Sequence, residues 1–193
     1  MSKCSICQNE SSISKKRSHD AFYVDCPLCG KYEITGLAKA IKLFEEEKIY
    51  LLIAVLRNSW ETGQILSVNT SNWKTYIDSV SIKKDPIEKI ERLILYLFKK
   101  LEDNPSEYYK FNPVYDYPLL YAQNQEEFLY YYNKVLELGY LEKKSDFNVR
   151  LSLPGWKKVS ELKTKIKDSN QAFVAMWFDD ELNEVWANGF KIA

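Results

Sequence analysis

The sequence predicts an α+β fold, mainly helical, and three observations carry that prediction. Two C-x2-C pairs fall within the first thirty residues, with room between them for a short hairpin. Apolar residues then recur at helical spacing through the middle of the chain, most clearly from Ile87 to Leu101. Near the other end, AFVAMWF (Ala172 to Phe178) is a nearly continuous apolar run, as expected of a strand covered on both faces in a parallel sheet. Four regions follow from these signals: a cysteine-paired region over 1–36, a helical region over 37–104, a helix–hairpin–helix region over 105–166, and a linker with an incomplete α/β unit over 167–193.

The cysteines are Cys4 and Cys7 in CSIC, and Cys26 and Cys29 in CPLCG. A two-residue spacer lets both thiolates of a pair face one ion, and the eighteen residues between the pairs suffice for a hairpin that brings them together. The first region is therefore read as a Cys4 zinc ribbon, with one Zn2+ held by Cys4, Cys7, Cys26 and Cys29. Two disulfides are the competing reading, which a cytosolic redox poise disfavours. Four thiolates leave no open coordination position, so the zinc is expected to be structural rather than catalytic. Gly30 fits the turn where backbone amides point at sulfur. His19, between the pairs, is superfluous as a ligand and is read as a solvated loop residue. Lys15, Lys16 and Arg17 on the hairpin tip are read first as a solvated turn and second as a phosphate contact.

After the second pair, YEIT alternates like a short strand, and Thr35 is placed to cap a helix through Leu37, Ala38, Ile41 and Phe44. A strongly apolar helix is expected from about Lys48 to Trp60, ending near Gly63. ILSVNTSNW reads as an extended segment, with Ser71 or Asn72 capping a short helix through Trp73, Tyr76 and Ile77. Asp85 and Pro86 have the arrangement of an N-cap and first helical residue, and Ile87, Ile90, Leu93, Ile94, Leu97 and Phe98 form one face as far as Leu101. EDNPSEYYKFNPVYDYP is read as loop from its prolines and asparagines. Its aromatics are expected to pack that loop onto the core, ahead of forming a stacking surface for bases.

Beyond it, Phe128, Tyr131 or Tyr132, Val135 and Leu138 mark a helix ended by Gly139. Tyr140-Leu141 and Val149 to Leu153 flank a polar loop as hairpin strands, and Pro154 and Gly155 open another helix through Trp156, Val159 and Leu162. Helix, hairpin, helix is the order in which a winged-helix domain closes. In such domains the helix before the wing commonly reads the major groove, but here it carries Glu126, Glu127 and Glu137 against Lys134. That surface repels a phosphate backbone. Lys143, Lys144 and Arg150 on the wing suit a weak phosphate contact, and a role between proteins or domains is preferred for the module.

Lys plus Arg and Asp plus Glu each total 27, dispersed rather than in blocks, so no global field draws the chain to nucleic acid or an anionic membrane. The chain opens Met1-Ser2-Lys3-Cys4 with no apolar signal region, and the run from Ile49 to Leu56 is far shorter than the roughly 20 residues of a membrane span. A cytoplasmic location without membrane contact is expected.

The last segment returns to the α/β signal. After the apolar run, Asp179 or Asp180 caps a helix with Leu182, Val185, Trp186, Gly189 and Phe190 on one face. The string AFVAMWFDDELNEVWANGFKIA, after LPGWKKVSEL and the lysine-rich linker KTKIKDSN, resembles bacterial proteins that join a Cys4 knuckle region and a helical or winged-helix middle to a TIR-like, nucleoside-2-deoxyribosyltransferase-like domain. The likeness is most specific over Ala172 to Asp179 and at CPLCGKYEITG. It implies nucleotide binding or cleavage of N-glycosidic bonds, NAD among the substrates, often in phage defence. The family's catalytic glutamate and remaining strands follow the first helix, past Ala193, so no catalysis is assigned to these residues. Asp179 marks where a nucleotide pocket would begin, although its role as a helix cap is the stronger reading. The segment is expected either to begin a longer effector or to serve as an interaction element paired with its own body or a partner protein. The leading expectation is a zinc-stabilised sensory or adaptor region of a nucleotide-processing effector. A nucleic-acid-binding regulator stands second, and an enzyme completed by another chain third.

Overall fold

The computed structural model describes residues 2–16, 20–80 and 85–168. The chain falls into two compact units, Met1–Ser160 and Glu161–Ala193, and the cores and sites described here lie in the first. The expected terminal strand and helix, with Asp179, lie outside the described residues, as do Arg17 and His19.

The first sheet runs β1 (Ser2–Lys3), β2 (Glu10–Lys15), β3 (Ala21–Cys26) and β4 (Gly30–Thr35), each antiparallel to the next. Alternation sets its faces: Gly30, Tyr32 and Ile34 turn inward on β4 while Lys31 is exposed. A short β5 (Ser67–Val68) pairs with β4 in parallel, Ile34 opposite Val68. Parallel neighbours need a crossover connection, which α1 (Gly36–Ala40) and α2 (Ile49–Glu61) supply.

Thr35 caps α1, its hydroxyl accepting from the Ala38 amide at 3.3 Å. The helix is shorter than its apolar spacing suggests. It stops at Ala40 because Ile41 turns to an extended conformation (ψ 138°), and a 3-10 turn over Leu43–Glu45 then carries Leu43 into the core. On α2, Leu51, Leu52, Ile53, Ala54 and Leu56 are buried, so this helix is the centre of the first core. Asn72 takes the N-cap position of α3 (Trp73–Asp78), as one of the two expected candidates, but its side chain makes no capping bond to the helix. Instead Asn69 Oδ1 accepts from the Ser71 and Asn72 amides, each at 2.9 Å, in a turn that sets the helix direction.

The second core begins at α4 (Pro86–Leu101), capped by Asp85, whose carboxylate accepts from the Ile87 amide at 2.8 Å. The tyrosine-rich stretch expected as loop contains β6 (Tyr109–Lys110), a single-turn α5 (Pro113–Asp116) and a 3-10 turn over Tyr117–Leu120. Asn112 and Pro113 repeat the cap-and-proline start of α4. α6 (Gln125–Glu137), β7 (Leu141–Ser145), β8 (Asn148–Leu151) and α7 (Leu153–Asp168) follow. β8 is central in the second sheet, with β6 and β7 antiparallel on either side. Gly155 permits the entry to α7, since a Cβ there would stand 2.2 Å from the Tyr140 carbonyl oxygen.

Leu93, Ile94 and Leu97 of α4 pack with Phe111, Phe128, Tyr132 and the hairpin residues Val149 and Leu151. Phe111 is the hub of the ring contacts, meeting Tyr109, Phe128 and Tyr132 edge to face. The buried cores therefore divide differently from the sequence regions. The ribbon shares one core with α2 and α3, and α4 belongs with the hairpin.

Candidate metal centre

Cys4 and Cys7 occupy the turn between β1 and β2, while Cys26 ends β3 and Cys29 immediately precedes β4. Because β1 pairs with β2, and β2 with β3, the two turns come side by side at one end of the sheet. Their four sulfurs all lie within 4.8 Å of one another. Cys4 and Cys29 are 3.8 Å apart and Cys7 and Cys26 are 3.4 Å apart. A disulfide needs about 2.05 Å. By contrast, a tetrahedron with metal–sulfur bonds of about 2.3 Å has edges of about 3.8 Å. The spacing is that of a tetrahedral ligand set, and all four cysteines are free.

Both turns are built alike. The residue after the second cysteine takes a left-handed conformation in each, Gln8 at φ 62° and Gly30 at φ 76°. A glutamine adopts that region at a cost and glycine freely, but Gly30 has a further reason. A Cβ on it would meet the Trp60 side chain at 2.7 Å. The first turn is closed by the Gln8 amide donating to the Cys4 carbonyl at 3.0 Å and the Cys4 amide donating to Asn9 at 2.8 Å.

Cys4, Cys26 and Cys29 are buried and Cys7 is partly exposed. Neighbouring thiols donate to Cys4, chiefly Cys26, and to Cys26, chiefly Cys29, and hold both sulfurs below the usual thiol range. Donation to Cys26 raises Cys7, and burial raises Cys29. A dication held here would displace the protons that remain on the sulfurs. Tyr32 lies 3.0 Å from the Cys4 sulfur. Burial keeps its phenol protonated far above the ordinary range, so it donates to that sulfur. Asn9 Nδ2 donates to Cys7 at 3.5 Å. These donors spread charge away from the sulfurs and fix their orientation.

Arg57 ties the second turn to the other core. It donates to the Pro27 carbonyl between Cys26 and Cys29 at 2.8 Å and to the Tyr115 carbonyl at 2.9 Å. It also pairs with Asp116 at 2.8 Å and Glu61 at 2.9 Å. Burial opposes its charge, but Asp116 and Glu61 outweigh that cost and hold the guanidinium above its ordinary value. Glu61 continues to Lys100 at 2.8 Å and Tyr96 at 3.3 Å, and Tyr96 to Tyr109 at 2.9 Å. Sequence reasoning passed over this network, although a lone arginine inside IYLLIAVLRNSW is a legible oddity.

Three of the expected phosphate contacts, Lys16, Lys143 and Arg150, have acidic partners already. Lys16 pairs with Glu33 at 3.0 Å, and Lys15 is exposed beside it in sequence. Lys143 pairs with Asp146 at 2.7 Å, and Arg150 meets Glu142 through two nitrogens at 2.8 and 2.7 Å. Lys144 and Arg150 share the Tyr108 ring, 5.4 and 4.8 Å from its centroid. Among the described residues no helix is long and apolar enough to cross a membrane. No protein-family model, curated protein or solved structure matches the chain.

Proposed function

We propose that this chain is the zinc-stabilised sensory or adaptor region of a bacterial nucleotide-processing effector, and that it acts by binding rather than by chemistry. The observation that carries the reading is the closed set of four sulfurs. Zinc suits a tetrahedral all-thiolate site and needs no redox partner. With four protein ligands the ion has no position for water or substrate, so its contribution is to the fold.

A winged-helix reading of the second core is supported by its order. α4, β6, α5, α6, β7 and β8 run as helix, strand, helix, helix and wing hairpin, and β6 pairs with the last strand as that architecture requires. The acidic start of α6, with Glu126 and Glu127, favours a protein partner over a phosphate backbone. The effector half of the reading rests on the resemblance at Ala172 to Asp179, which also supplies its link to NAD and phage defence. Nucleic-acid binding is the second reading; Lys144 and Arg150 gathered on Tyr108 speak for it, and the Glu142 and Asp146 pairings against it.

Native mass spectrometry of the purified chain, with and without a chelator, tests the proposal. One zinc per chain, lost together with folded structure on chelation, is the expected result. Absence of a metal would overturn the zinc reading, bound oligonucleotide would favour the regulator, and NAD turnover by an assembled complex would favour an enzyme completed by another chain.

A further inference from the structure

Arg92 lies on α4, and its surroundings differ from those of Arg57. Its Nε donates to the Leu119 carbonyl at 2.8 Å and an Nη donates to Asn58 Oδ1 at 2.8 Å. The guanidinium stands over the Tyr121 ring, 4.7 Å from its centroid. Among the described residues no carboxylate pairs with it. Burial alone pushes its pKa below the ordinary value, with only a small opposing contribution from Tyr121. Asn58 has nothing more to offer, because its amide nitrogen donates to the Ala54 and Pro118 carbonyls at 2.8 and 3.0 Å, which fixes its oxygen on Arg92. Two of the five guanidinium donors are thus used and three are left.

Arg92 lines an open cleft of about 360 Å³. Val55, Asn58, Ser59 and Thr62, spaced as one face of α2, line it together with Arg92 and Tyr121. Arg92 is partly buried, and its neutral partners do not balance its charge. A planar fork with a free edge fits the oxygens of a tetrahedral anion. The cleft has room beyond a single phosphate group, and Val55 and Tyr121 give that room an apolar wall.

We propose that this cleft binds a small phosphate-bearing ligand, either free phosphate or a phosphomonoester, with the unpaired edge of Arg92 as its principal contact. The site goes beyond the binding role proposed above by giving it a ligand class. It stands on the cleft's own geometry, whichever way the zinc reading turns out.

The test is thermal unfolding of the full chain in inorganic phosphate, in adenosine 5′-monophosphate, and in chloride at matched ionic strength. A saturable rise in midpoint with phosphate or the nucleotide, absent in chloride, is expected. Equal responses would identify free phosphate as the ligand, and a stronger nucleotide response would identify the phosphomonoester. Arg92→Lys should weaken binding at least tenfold. Ser59→Asp should supply the missing carboxylate, raising the midpoint in chloride and removing the phosphate response. A wild-type chain that responds to neither anion, an affinity unchanged by Arg92→Lys, or a response that persists in Ser59→Asp would overturn the proposal. Zinc content measured on the same samples reports separately on the metal centre.

Discussion

The two cores of the first unit hold themselves together by different means. Around β1 to β5 the interior includes four clustered sulfurs, a set that a tetrahedral metal ion would satisfy. Around α4, α6 and the hairpin the interior is Leu, Ile, Val and a connected set of aromatic rings. One core carries a site for a cross-link and the other is held by packing alone. A protein can rely on a metal where chain is short and strands are few, and dispense with it where long amphipathic helices bury enough apolar area.

The sharpest way to break this contrast is Cys29→Ser. Structural zinc sites contribute on the order of 10–16 kcal/mol to folding in small domains, so the first core should lose its metal and its order. Near-ultraviolet circular dichroism and metal content would both fall. The mirror experiment is Phe128→Ala, expected to cost about 3–5 kcal/mol by emptying a fully buried site in the second core while zinc stays bound in the folded fraction. Equal sensitivity of both variants to chelator would abolish the distinction.

Asp116→Ala should cost about 3–5 kcal/mol, because it strips Arg57 of a buried partner and leaves the charge behind. Denaturant unfolding that reports on each core separately would place the loss in both, since Arg57 belongs to one and Asp116 to the other. Tyr32→Phe is milder. It removes the hydroxyl on Cys4 and should weaken metal affinity by about 10- to 100-fold in a competition titration, with the second core unchanged. Asp85→Ala, which removes the α4 cap, should cost about 1 kcal/mol and leave metal affinity untouched.

The features that were legible from sequence are local ones. C-x2-C spacing located the four sulfurs because turn geometry is set within a few residues, and Asp85-Pro86 located the start of α4 for the same reason. The stretch from 102 to 118 holds more structure than its loop signals suggest, because prolines and asparagines mark helix starts as well as loops. Asn112-Pro113 opens a helix of one turn, and β6 is a strand only because Val149 and Asn148 of β8 are there to pair with it. Non-local partners also explain what was missed around the metal. Arg57 was visible as a charge among apolar residues, but nothing near it in sequence announces Pro27 or Asp116. Arg92 carries no signal of its own in the sequence, because its lack of a carboxylate partner is a property of the assembled cleft.

The Arg57 bridge has a consequence for synthesis. Its bonds span 30 residues back to Pro27 and 58 and 59 residues forward to Tyr115 and Asp116. A ribosome adding roughly 5–20 residues per second takes several seconds to make that forward stretch. Throughout that interval the nascent ribbon and α2 have Glu61 but not Asp116, so a charge destined for burial is only half neutralised. The N-terminal core therefore cannot reach its final form as an independent early domain. Its completion waits for the arrival of α5, and the half with the four cysteines is made first but finished late.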